Sequence, residues 1–313
     1  MKGLELAERF YEEYGKKMID ENFSHLKQYL AVGLCGSGSE CMGFDDEVSQ
    51  DHDFEPGFCI FLPDESLVSS KDEFLLERAY AKLPKEFLGF KRSPLNPVGG
   101  NRHGVIRMDC FFKNKIGDKK GHLTDREWFM VDEQFLLEAT NGKIFVDNLG
   151  RITDIRNKLS YLPEEVRLKK LAGNLLVMAQ SGQYNYLRCI KRGESGAAQL
   201  AVAEFVHAAL KVIFLLNRKY IPYYKWVFKA LKNLEKLSHL HDELEYILSN
   251  PNTENETKRK TEMIEKICAE IIKELQRQEL STISHSALEA HAYSVNDKIK
   301  NPEIRNLNIM YAV

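Results

Sequence analysis

The chain has 313 residues, 43% of them hydrophobic, and its 44 Lys and Arg nearly balance 46 Asp and Glu, leaving a formal net charge of -2. That length suits two modest domains. The charge balance excludes a global field that would pull the molecule onto nucleic acid or an anionic membrane, so a nucleic-acid partner is not expected and any polyanion must meet a local patch.

No Arg-headed apolar segment opens the chain, and apolar runs such as residues 210–216 are too short to span a bilayer, which predicts a cytoplasmic protein with no membrane partner. Six cysteines at 35, 41, 59, 110, 189 and 268 form no C-x-x-C pair. They are expected as reduced, mostly buried thiols rather than a zinc or dithiol site.

Residues 4–19 place Leu6, Phe10, Tyr14 and Met18 four apart, the stripe of an amphipathic helix docked on a core. Segments 29–34, 58–62 and 105–112 are short, apolar and rich in β-branched or aromatic residues, and are expected as strands. Before the third strand, Ser70-Lys71-Asp72-Glu73 has capping-box form and predicts a helix to about Leu83. From Tyr161 onward the periodicity is helical. Segment 196–217 reads as a central buried helix, 221–248 as a long helix started by Pro222, and 257–280 as another, with the polar stretch 250–260 as a linker or frayed start. A domain boundary is expected within 148–161.

The chemistry is concentrated in one run: Gly36-Ser37-Gly38-Ser39-Glu40, then Gly43-Phe44-Asp45-Asp46, then Asp51-His52-Asp53. A strand ending in Gly-x-Gly-Ser can aim backbone N–H groups and a hydroxyl at phosphate oxygens. Carboxylates at i and i+2 on a following strand share a face and can chelate Mg²⁺, whose remaining ligands come from phosphate and water. The acids Asp45, Asp46 and Glu47 read more simply as a solvated or capping cluster, and His52 as a packing residue, because Mg²⁺ favours oxygen.

These residues resemble the polymerase-β-like nucleotidyltransferase superfamily, and the wider wording resembles a bacterial branch catalogued as a domain of unknown function. Three later segments carry the same likeness: Trp128 to Asn148 with Asn141-Gly142-Lys143-Ile144-Phe145-Val146-Asp147, Gln183 to Arg188, and Leu216 to Trp226. The resemblance implies an α+β nucleotidyltransferase domain, a mixed sheet flanked by helices, over residues 1–155. An all-α helical domain over 156–313 would close the nucleotide cleft.

It further implies a nucleoside triphosphate, ATP foremost, held with Mg²⁺ or Mn²⁺, and transfer of the nucleoside monophosphate to an acceptor the sequence does not identify: small molecule, protein or RNA. Asp51, Asp53 and a third acid would be catalytic and metal-binding, and Gly36, Ser37, Gly38 and Ser39 would bind nucleotide. Asp109 is the candidate third acid, on the face of the expected strand away from Ile106, Met108, Cys110 and Phe112, with Asp132 and Glu127 as alternatives. Pairing of Asp109 with Arg107 or a lysine is the plain structural alternative. Lys225 and Arg192 are the candidate phosphate contacts from the helical half, against a reading as solvated helix faces. Without a third acid, the chain would be a catalytically inactive nucleotide-binding regulatory protein of the same fold.

Overall fold

The computed structural model describes residues 1–48, 54–92 and 102–313, apart from the side chain of residue 312. The catalytic candidates Asp51 and Asp53 therefore lie outside the described residues. The chain is a mixed sheet with helices near the N-terminus followed by a mostly helical region, and it divides into two compact units: residues 1–124 with 131–160, and 125–130 with 161–313.

The first unit opens with α1 (Gly3–Phe10), a π-helical stretch (Tyr11–Gly15) and α2 (Lys16–Asn22). The expected stripe packs as its spacing demands: Leu6, Phe10 and Met18 are buried and Tyr14 packs at the margin of the same core. Then follow β1 (Ala31–Leu34), β2 (Cys59–Leu62), α3 (Ser70–Ala81), the tight hairpin β3 (Glu86–Phe87) and β4 (Phe90–Lys91), β5 (Gly104–Arg107), α4 (Met108–Ile116), α5 (Asp125–Met130), α6 (Glu133–Thr140), β6 (Lys143–Asp147) and α7 (Arg151–Lys158). Of these, α5 belongs to the second unit.

The sheet order is β5-β2-β1-β6, with β2 and β5 parallel and the other pairs antiparallel. Gly33 pairs with Cys59, Leu34 with Lys143, and Cys59 with Gly104. One end of the sheet thus gathers the exit of β1 and the entries of β2, β5 and β6. On one face Phe10, Tyr11 and Tyr80 close around Phe58, burying rings worth about 2–3 kcal/mol each.

The segment 105–112 is not one strand. β5 ends at Arg107, and α4 begins at Met108 because Met108, Phe111, Phe112 and Ile116 recur at helical spacing and bury together, while Gly117 closes the helix in the left-handed region. Asp109 sits in the first turn of that helix, where an acid favours the helix dipole, so the argument from strand faces does not hold. The helix expected from Ser70 starts there, but its cap is Ser69, which accepts from the Asp72 N–H. β6, which pairs with β1, is a strand the periodicity did not reveal.

The second unit contains α5, then α8 (Glu164–Met178), α9 (Leu187–Lys191), α10 (Ser195–Leu216), α11 (Tyr224–Leu231), α12 (His241–Ser249), α13 (Glu254–Arg277), α14 (Leu288–Asp297) and α15 (Pro302–Arg305). Its middle is α8, whose residues 166–178 are buried without interruption, packed on α10 and α14. α10 has the length and apolarity of a membrane span, yet 61% of its most apolar window is buried inside the protein.

The long helix expected over 221–248 is instead α11, a 3-10 turn (Ser238–Leu240) and α12. Leu237 adopts a left-handed φ of 61°, and the Asn217 side chain clasps Lys236 by accepting from its N–H at 2.9 Å and donating to its carbonyl at 2.9 Å, which ends helical propagation. The polar stretch 250–260 enters α13 at Glu254, and Lys260 within it is fully buried.

Candidate phosphate-binding turn

β1 leads through Cys35 into Gly36, Ser37, Gly38 and Ser39, which turn into a short 3-10 helix (Glu40–Met42) closed by Gly43 in the left-handed region. Gly36 and Gly38 have φ of 116° and 127°. Gly36 does not offer its N–H to a ligand: it donates to Asn141 Oδ1 at 2.9 Å, and the Asn141 amide donates back to the Gly36 carbonyl at 2.8 Å. Among the described residues, none accepts from the N–H of Ser37, Gly38 or Ser39. The turn therefore presents consecutive backbone donors with two serine hydroxyls beside them, the composition of an anion nest.

Two devices fix the turn. The first is the dipeptide after α6. The Gly142 N–H donates to the Cys41 carbonyl at 2.9 Å, and a Cβ at Gly142 would lie 2.1 Å from the Leu34 carbonyl oxygen, so only glycine admits this approach. Arg156 holds the same corner by donating to the carbonyls of Thr140 and Asn141 at 2.5 and 2.7 Å. The second is Arg102, just ahead of β5. Its Nη2 donates to the Ser37 carbonyl at 2.9 Å and is ion-paired with Glu40, so the guanidinium lies where a Cβ on Gly38 would stand, 1.8 Å away.

Beneath the turn, Cys35, Cys41 and Cys59 are buried free thiols. Burial pushes the Cys35 thiol up to about 11 and those of Cys41 and Cys59 well above the usual range, so they are inert packing groups at neutral pH. Asp45 is buried too. It accepts from the Gly3 N–H at 2.9 Å and pairs with Lys2 at 3.5 Å, which makes it a tether between the loop and α1. Glu55 meets His103 Nδ1 at 3.2 Å where β2 and β5 enter the sheet.

The other expected residues divide. The register sets Arg107 beside Leu62, at the end of β5 away from the turn, and Asp109 follows it, ion-paired with Lys119 at 3.4 Å and not with Arg107. Arg107 pairs with Glu73 and donates to the carbonyls of Pro63 and Val68 at 2.9 and 2.8 Å. Asp132 stands at the N-terminal cap of α6, and Glu127 lies on α5.

Arg192 caps the end of α9, and Lys225 lies in α11 with its ammonium 5.1 Å from the Trp226 ring centre. Both are exposed on the second unit. Among the described residues, the cluster of His, Asp and Glu with ligand atoms within 4.8 Å is His241, Asp242 and Glu245. It lies at the start of α12, and both its acids are exposed.

A family model described as a domain of unknown function (DUF4037) matches residues 128–227. The three later segments noted in the sequence, including Asn141 and Gly142, fall wholly inside that match, whereas the Gly36–Ser39 turn and the Asp pair lie outside it. No curated protein matches the chain. A solved structure of a nucleotidyltransferase-like protein from Exiguobacterium sibiricum 255-15 is similar over 91% of this chain and 89% of its own, at 12% identity and a TM-score of 0.36.

Sequence reasoning missed Arg102, the pairing of Glu40 with it, and the supporting role of Asn141. An Asn-Gly dipeptide straight after a helix is a turn signal that could have exposed Asn141. Nothing in the spacing points to Arg102, which is 64 residues downstream of the glycine it covers.

Proposed function

We propose that the turn from Gly36 to Ser39 binds the polyphosphate of a nucleoside triphosphate, ATP foremost, and that the chain is a nucleotidyltransferase. The observation that carries this is the row of N–H donors at Ser37, Gly38 and Ser39, held open by the Asn141 clasp at one end of the sheet. In sequence, Asp53 stands six residues before Cys59, whose strand enters at that same end.

Asp51 and Asp53 offer hard oxygen donors suited to Mg²⁺ or Mn²⁺, which when bound would neutralise charge on phosphate oxygens. The backbone donors orient the phosphates so that an acceptor's lone pair can attack the α-phosphorus in line. The bond to the β-phosphate oxygen then breaks, and pyrophosphate leaves with that electron pair. Asp109, if it takes the acceptor's proton, does so from the first turn of α4. Arg192 and Lys225 are not needed for this reading.

A second reading, a nucleotide-binding regulatory protein without turnover, is favoured by one observation: Asp109 already has Lys119 as its partner and follows the end of β5 remote from the turn. Isothermal titration with each NTP, with and without Mg²⁺, on wild type and on Asp51→Asn with Asp53→Asn, tests both readings when joined to a pyrophosphate-release assay. The first expects Mg²⁺-dependent binding lost in the double variant, with pyrophosphate released in the presence of the right acceptor. Binding without release under any acceptor pool supports the second, and absence of NTP binding ends both.

A further inference from the structure

Glu40 poses a problem for an anion-binding turn. It is only 7% exposed and its carboxylate lies against Gly38, with Oε1 2.4 Å from the position of an added Cβ. A buried negative charge there repels phosphate at short range through protein of low polarisability. Arg102 resolves the conflict by pairing with Glu40 over the glycine.

Its backbone is pinned: Cys59 Sγ donates to the Arg102 carbonyl at 3.2 Å, and two residues on the Gly104 N–H donates to Phe58 at 2.9 Å. Its side chain, at 23% exposed, is the more open half of the pair. A guanidinium so placed has the fork geometry that suits phosphate oxygens, with a backbone carbonyl, Ser37, fixing its plane.

We propose that Arg102 is the polyphosphate-binding cation of this turn and that Glu40 competes with the ligand for it. This rests on the phosphate-binding reading above. The pair sets a threshold: incoming phosphate must draw the guanidinium away from a carboxylate that stays behind. Removing the carboxylate's charge therefore strengthens binding, while removing the guanidinium leaves Glu40 uncompensated beneath the ligand. A purely structural ion pair would behave differently, since losing either partner would loosen the turn and weaken binding.

The test measures affinity for inorganic tripolyphosphate without metal, and for ATP with Mg²⁺, in wild type, Glu40→Gln, Arg102→Gln, Arg102→Lys and the Glu40→Gln/Arg102→Gln pair. Thermal melting of each shows that it is folded. Glu40→Gln is expected to bind tripolyphosphate about fivefold tighter and Arg102→Gln about fiftyfold weaker, the scale of contacts to charged groups. The double variant should recover part of that loss, and Arg102→Lys should stay closer to wild type than Arg102→Gln.

Weaker binding by folded Glu40→Gln, or equal affinity across the set, overturns the proposal. If this order holds for tripolyphosphate while ATP with Mg²⁺ does not bind, the enzyme reading fails and the assignment of Arg102 stands. If ATP binds and needs Asp51 and Asp53 but Glu40→Gln weakens it, the reverse is true.

Discussion

The two units use buried or half-buried cations for opposite ends. In the second unit, Lys169 is fully buried and its ammonium donates to Asn296 Oδ1, the Arg305 carbonyl and the Leu307 carbonyl at 2.9, 3.1 and 2.7 Å. Lys260 likewise ends on the Asn250 carbonyl and Asn252 Oδ1 at 2.5 and 2.9 Å, and buried Arg167 lies on Glu164 and the Leu215 carbonyl. These cations donate to backbone carbonyls and side-chain amides around α15 and the loop before α13, the Leu307 and Asn250 carbonyls among them, so they are structural. In the first unit, Arg102 covers a glycine turn whose neighbouring N–H groups have no acceptor among the described residues. The contrast teaches that burial alone does not mark function; what the donors terminate on does.

The largest expected effect tests the structural side of that contrast. Lys169→Met keeps much of the volume but leaves the Leu307 carbonyl and Asn296 Oδ1 short of a donor, and should cost about 3 kcal/mol in urea unfolding with tripolyphosphate affinity of the folded protein unchanged. A loss of affinity with intact stability would make Lys169 a ligand-binding residue and erase the distinction.

Gly38→Ala acts on the other side. At a φ of 127° with its Cβ against the guanidinium, it should destabilise by about 2 kcal/mol and displace Arg102, weakening tripolyphosphate binding more than overall stability would suggest. Asn141→Ala removes both bonds to Gly36 and should cost about 1 kcal/mol, with affinity falling because the turn is no longer held open. Wild-type affinity in either folded variant would show that the turn's shape is irrelevant to anions.

Raising pH sharpens the comparison by the smallest amount. Burial raises the Cys35 thiol from its ordinary value of 9 to about 11 in the fold. The stability this contributes is whole below about pH 9 and drains as pH rises towards 11, a loss on the order of 1 kcal/mol or less by pH 9.5.

Lys169 and Lys260 have the reverse sign. Burial lowers their affinity for the proton, so they add stability to the second unit as pH climbs towards the lysine range, against the loss from Cys268, a lone buried thiol there that burial raises well above its ordinary value. Both tryptophans, Trp128 and Trp226, belong to the second unit, while Cys35, Cys41 and Cys59 belong to the first. Between pH 7.5 and 9.5 the urea midpoint for alkylation of those three cysteines should fall by more than the tryptophan-emission midpoint, because the first unit holds three such thiols and the second holds Cys268 opposed by two lysines. A parallel fall in both would contradict the assignment.

Much of the fold was legible because period and burial agree where one face packs: the stripe from Leu6 to Met18, the apolar run of β2, and the all-round apolar α10. Legibility failed where tertiary contacts override local pattern. The alternation after Arg107 suits a strand as well as a helix until Phe111 and Phe112 find a common core, and β6 exists because β1 offers it an edge. The single helix expected after Pro222 breaks because Asn217, distant in sequence from Lys236, binds its backbone.

The glycine-serine turn could be read from its composition, since its backbone freedom is a local property. Its guard could not: Arg102 and Glu40 meet only after β2 and β5 pair.

The most direct measurement is the amide spectrum of the ¹⁵N-labelled protein titrated with inorganic tripolyphosphate. The account predicts saturable downfield shifts of the Ser37, Gly38 and Ser39 amide protons, with the Gly36 amide nearly still because Asn141 already holds it. Shifts confined to the second unit, or a Gly36 amide that moves while its three successors do not, would contradict it.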